Sequence, residues 1–209
     1  MKKLSFIPIL FMVLLAKSIP FNWIIGSYHA TFSWTTMLAP VLTKYYGFAW
    51  ISLFFVSPSF IFAKVGIYSI LLSFLHRTPL LFASRAYHVR HWSTSFVIPA
   101  LCMTLFIIHD VGSVAWFYSL YWLIPMMLYF AKDCMISRAF SASFIAHGVG
   151  SVIWLYTKII PAEVWLSLIP IVICERLLMA GGMMVLDVAI DRMRRMQRWN
   201  KFCKRLGCA

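Results

Sequence analysis

Twenty successive residues, Gly112 to Ala131, carry no charge, and about 20 apolar residues are what an α-helix needs to cross the hydrocarbon core of a bilayer. A chain that repeats this pattern must satisfy its backbone N–H and C=O groups within its own segments, so it folds as helices. The pattern does repeat: segments bounded by charge or turn residues run Leu4 to Ile25, Gly47 to Phe74, Thr94 to Ile108, Gly112 to Ala131, Phe140 to Tyr156 and Val164 to Val188. Of the 209 residues, 62% are apolar and 12% charged, with a mean hydropathy of +0.84. A soluble domain is about a quarter charged, so a soluble enzyme is excluded. The expected fold is all-α: a polytopic six-helix transmembrane bundle over residues 1–190, with a basic tail over 191–209.

Orientation follows from the 19 Lys and Arg. With the amino terminus inside, Lys2, Lys3, Arg77, Arg85, Arg90, Lys132, Arg138 and seven residues between Arg192 and Arg205 face the cytoplasm. Only Lys44 and Lys158 remain outside, and Lys17, Lys64 and Arg176 fall within spans. That bias places both termini in the cytoplasm of a multi-pass protein, expected in a bacterial plasma (inner) membrane. Met1-Lys2-Lys3 followed by Leu4 to Ala16 has the charge and length of a signal peptide, but no A-x-A-like site follows it. Apolar sequence resumes after Lys17, so the segment reads as an uncleaved first span.

The first outer segment, Gly26 to Tyr46, contains Tyr28, His29, Trp34, Pro40, Tyr45 and Tyr46 and is too apolar for a solvated loop. It reads either as a lid over an outward-facing cavity or as an interfacial aromatic belt. The tail interleaves Met193, Met196, Trp199 and Phe202 with Arg and Lys, the pattern of an amphipathic helix lying on anionic lipid. Nucleic acid is not an expected partner. The five cysteines show no metal-binding or disulfide spacing. Cys203 and Cys208, beside the membrane, are either ordinary thiols or acylation sites.

Ionisable groups inside a span need a partner, a water-filled cavity or a function. His147 lies near the middle of Phe140 to Tyr156, and Glu175 and Arg176 near the middle of Val164 to Val188. The short turn between these spans makes them antiparallel neighbours, so the three groups share one depth. Ser143, His147, Ser151 and Trp154 fall on one helical stripe. Gly148, Gly150, Gly181 and Gly182 permit close backbone approach. Two readings follow. One is a polar clasp that fixes helix pairing. The other is a mid-membrane pocket with His147 and Arg176 as donors and Glu175 as acceptor. Trp116, Tyr118 and Trp122, with His109 and Asp110 at their outer end, would complete such a small-molecule site. Hydrolytic, metal and nucleotide motifs are absent, so no catalytic residue, metal or cofactor is expected.

Six helices, both ends inside, a folded first outer segment and the run Ala39-Pro40 then Gly47 before an apolar span together resemble the substrate-binding membrane component of energy-coupling factor vitamin transporters. The resemblance implies capture of a vitamin-like solute, with coupling and ATPase subunits as partners. The first segment offers only Ser5, Ala16 and Ser18 where that family often carries small residues spaced four apart. Two other classes stand beside this reading. One is an intramembrane enzyme acting on a lipid-linked or apolar substrate, with His147 as acid or base oriented by Glu175; the other is a non-catalytic assembly subunit.

Overall fold

The computed structural model describes residues 20–25, 28–33, 35–47 and 67–205. The expected first span before Pro20, most of the second, Lys17, Lys64 and Cys208 lie outside the described residues. Strands β1 (Pro20–Ile25) and β2 (Tyr28–Ser33) pair antiparallel, from Pro20 opposite Ser33 to Ile25 opposite Tyr28. Everything else of regular structure among the described residues is helical. Helices α1 (Thr35–Tyr46), α2 (Ile67–Leu75) and α3 (Thr78–His88) come first. A π-helical turn (Ser93–Val97) then leads into α4 (Ile98–Ile107). The short α5 (Asp110–Val114), a 3-10 helix (Trp116–Trp122) and α6 (Leu123–Phe130) follow. The chain ends in α7 (Met135–Thr157) and α8 (Ala162–Arg205). Among the described residues, two helices are long and apolar enough to cross a membrane, Met135–Thr157 and Ala162–Asn200.

The strands correct the expectation that helix runs through Ile25. Phe21, Trp23, Ile24, Ile25, Thr31 and Phe32 are aromatic or β-branched and suit a strand. The segment expected as an outer lid, Gly26 to Tyr46, supplies β2 and then α1, whose Ala39, Val41 and Leu42 are fully buried. Pro40 removes one intrahelical donor from α1, and Thr43 Oγ1 lies 3.0 Å from the Ala39 carbonyl and 2.8 Å from that of Pro40, to which it donates. Gly47, at φ +89°, stops the helix in the left-handed region that glycine enters without strain.

Gly112 to Ala131, expected as one span, is three short helices. Pro125 lacks the N–H that would bond the Tyr121 carbonyl, and the preceding aromatic run winds more tightly. At Gly112 the α4–α5 corner is so close that a Cβ would meet the Phe106 carbonyl oxygen at 1.8 Å.

Two ends organise the bundle. α7 runs from Met135 at one end to Thr157 at the other, and α8 returns. His76, in the α2–α3 turn, packs edge-on against Trp154, 6.1 Å between centroids, and its Nε2 lies 3.5 Å from Thr157 Oγ1. Tyr87, near the end of α3, reaches Asp187. α3 is therefore antiparallel to α7, and it occupies the stretch expected as an inner loop. Arg77 consequently lies at the Lys158 end and not with Arg85 and Arg90. Lys44, expected outside, lies at the other end with Arg138 and Arg194. α8 continues without interruption to Arg205, so residues 191–205 of the expected tail are the far part of the same helix.

The tie at the basic end is Asp187, 2% exposed. Lys44 Nζ donates to its Oδ2 at 2.6 Å and Tyr87 Oη to the same oxygen at 2.8 Å, while Tyr45 Oη donates to Oδ1. Asp187→Ala is expected to cost about 3 to 5 kcal/mol, because it leaves Lys44 and two tyrosine hydroxyls without their acceptor. Asp187→Leu combined with Lys44→Met should recover the part of that loss that comes from the stranded lysine. Thermal unfolding in a gentle detergent measures both, and equal losses in the single and double variants would exclude the ion pair as the cause.

Candidate functional site: a polar column between the last helices

α7 and α8 cross at Ser143 and Arg176. Ser143 Oγ donates to the Arg176 carbonyl at 3.3 Å, and Arg176 Nη1 donates to the Ser143 carbonyl at 3.2 Å. Arg176 Nη2 pairs with Glu175 Oε1. One turn along α7 from Ser143, His147 meets the 3-10 helix. Its Nδ1 accepts from Trp122 Nε1–H at 3.1 Å. An indole nitrogen only donates, so Nδ1 carries no proton. The ring is thus the neutral Nε2–H tautomer, and Nε2–H donates to Tyr118 Oη at 2.7 Å. The Tyr118 hydrogen is then left for Ser151 Oγ at 3.5 Å. Each donor fixes the direction of the next, and the chain runs from Trp122 through His147 and Tyr118 to Ser151.

Aromatic rings enclose this chain. Phe106 stacks on Tyr118 at 5.6 Å, while Trp165 stands edge-on to both Tyr118 (5.1 Å) and Phe106 (5.3 Å). Gly148 makes room for Trp122, whose ring lies 3.2 Å from where a Cβ would stand. Among the described residues, two buried N–H groups, Arg176 Nε and Trp165 Nε1, have no hydrogen-bond partner. Two hollows on the molecule lie away from the column. One, of about 220 Å³, is lined by Leu75, Leu105, Val152, Ile153, Tyr156 and Thr157; the other, of about 10 Å³, is at the basic end.

The structure therefore brings Tyr118, Trp122, His147 and Ser151 together and places Ser143, Glu175 and Arg176 one turn away. It does not bring in the other expected site residues. Trp154 is 52% exposed and packs on His76. Trp116 is 42% exposed and stacks on Phe117 at 3.8 Å. His109 caps α5, its Nδ1 accepting from the Val111 N–H at 3.2 Å, and its ring faces Tyr156. Asp110 lies in the first turn of α5. Trp116, at the start of the 3-10 helix, lies outward, whereas Tyr118 and Trp122 are buried. Glu175 binds Arg176, and both His147 nitrogens are occupied by aromatic partners, so the expected His147–Glu175 acid–base pair is not formed.

Sequence reasoning missed Trp165, eleven residues before Arg176 and hence on the same helical face, which was a usable signal. Tyr121, expected in the same aromatic cluster as Trp116, Tyr118 and Trp122, donates its hydroxyl to the Ile169 carbonyl at 2.7 Å. Asp187 was visible as a second carboxylate in the last apolar run. Among the described residues no group of His, Cys, Asp and Glu is placed to hold a metal. The chain matches no family model, no curated protein and no solved structure.

Tyr118→Phe is expected to cost about 1 to 3 kcal/mol, since it strands the buried His147 Nε2–H. Gly148→Ala should cost a comparable amount by displacing Trp122 from Nδ1. Detergent unfolding monitored by tryptophan fluorescence checks both. Wild-type melting of Tyr118→Phe would show that the hydroxyl is not the acceptor.

Proposed function

We propose that the chain is a multi-pass membrane protein of a bacterial inner membrane, basic end to the cytoplasm, that acts as the solute-binding component of a transporter. Partner subunits supply the energy, in keeping with the absence of nucleotide motifs and with the resemblance to energy-coupling factor substrate-binding components. The single observation that carries the reading is the polar column deep in an apolar helix pair, where Arg176 Nε and Trp165 Nε1 are buried donors with no acceptor. A buried donor left unpaired costs about 1 to 3 kcal/mol, and a small, vitamin-like solute bearing carbonyl or similar acceptors would remove that cost. Tyr118, Trp122, His147, Ser151, Ser143, Glu175 and Arg176 are its proposed contacts. Trp154, Trp116, His109 and Asp110 are not.

A second reading is supported by a different observation. His147 already has a protein partner on each nitrogen, as expected of a fixed clasp in an assembly subunit. An intramembrane enzyme has less support, because no carboxylate orients His147.

Native mass spectrometry of the full chain, released from a gentle detergent, separates the two. For the solute-binding component, a small molecule is retained, and His147→Ala loses it. For the clasp, no molecule is retained and the same substitution lowers the melting temperature. Orientation is tested by thiol labelling of intact cells. Cys203 is expected to be protected from impermeant reagent, and labelling from outside would overturn the assigned sidedness.

A further inference from the structure

At the basic end, the π-helical turn, the end of α6 and the start of α7 enclose the hollow of about 10 Å³, the size of one water molecule. Arg90, Arg138, Ser95, Ser137, Ser141 and Tyr129 line it. Ser95 is 4% and Ser141 9% exposed, yet neither hydroxyl has a hydrogen-bond partner among the described residues. Ser137 differs, since its hydroxyl already donates to the Lys132 and Cys134 carbonyls.

Both arginines keep donors in reserve. Arg138 uses Nε and Nη2 on Asp133, at 2.7 Å each, leaving Nη1. Arg90 uses Nη2 on the Leu128 carbonyl at 3.0 Å and lies over the Tyr129 ring, 5.1 Å from its centroid. Asp133 is the carboxylate at this site, and its bond to Arg138 holds it below the usual carboxylate range. Asp187 also acts on Arg138 but is itself paired with Lys44, so the two guanidinium groups face one carboxylate not paired elsewhere and leave a positive balance. The first turn of α7 adds amide dipoles of the same sign.

We infer that this crevice binds a phosphate group, one oxygen entering between Ser95 and Ser141 while Arg90 and Arg138 face the others. A hollow one atom wide takes a single oxygen, and a tetrahedral anion can put its remaining oxygens at the mouth, where guanidinium groups pair best. Two sources share this chemistry: the headgroup of a phospholipid in the leaflet at the basic end, and free inorganic phosphate. Exposed Val97, Met127 and Phe130, close in sequence to the lining residues, offer apolar surface for acyl chains.

The test is titration of the full chain in detergent with phosphatidylglycerol, diacylglycerol and inorganic phosphate, read by native mass spectrometry. Phosphatidylglycerol is expected to bind and diacylglycerol not. Ser95→Ala with Ser141→Ala should raise the apparent Kd about tenfold, and Arg90→Gln should do so by at least as much. Alanine suits the helical position of Ser141, so Ser141→Ala alone, expected to weaken binding about threefold, supplies the result if the double variant does not fold. Competition by millimolar phosphate identifies the free anion as the ligand. Phosphatidylglycerol binding that phosphate leaves unchanged identifies the lipid. Equal affinity of all serine variants and wild type, equal binding of diacylglycerol, or loss of binding only on removing residues 192–209 would overturn the assignment.

Discussion

The carboxylate of Asp187 is the point through which three helices are tied. Lys44 and Tyr45 reach it from α1 and Tyr87 reaches it from α3, so a single buried charge sets where α1 and α3 sit on α8. Hydrophobic burial is non-directional, so a polar contact adds what it does not supply. A buried ion pair has one geometry in which its desolvation is offset. Arg194, over the Tyr45 ring at 4.9 Å from its centroid, extends the same tie toward the basic part of α8.

The middle of the bundle uses polarity differently. At Asp187 a full charge is neutralised. Along Trp122, His147, Tyr118 and Ser151, neutral groups are ordered by the fact that indole can only donate. That order leaves His147 without the carboxylate neighbour a proton-transfer residue ordinarily has. The reserve of chemistry in the column lies in its unmatched donors, on Arg176 and Trp165, one at each end of the histidine's surroundings.

What the sequence made legible was what local spacing encodes. A charge-free run located most of α7, an apolar run interrupted by Glu175, Arg176 and Asp187 located the apolar part of α8, and the i, i+4, i+8 spacing put Ser143, His147 and Ser151 on one face, where all three are buried. Spacing could not show α3. Arg77, Arg85 and Arg90 make its neighbourhood look like a solvated loop, although Thr78-Pro79 is a helix-start signal. Nor could it show that Lys44 meets Asp187, 143 residues away. Contacts of that separation depend on how helices stack, and charge counting then assigns the lysine to the wrong end. The 3-10 stretch was hidden for a related reason: an aromatic run fits either winding, and the choice falls to Pro125 and to packing against Phe106.

The unbroken course of α8 makes the column and the basic end parts of one lever. From Arg176 to Arg205 the helix extends about 44 Å at about 1.5 Å per residue, so a tilt of about 5° about the column displaces its far end by about 4 Å. Its softest joint is the pair Gly181 and Gly182, since paired small residues are where helices bend. Met37 of α1 sits against that joint, its sulfur only 2.3 Å from where a Cβ on Gly182 would stand. α1 therefore braces α8 at that elbow through Met37 and again beyond it through Lys44 and Tyr45 on Asp187.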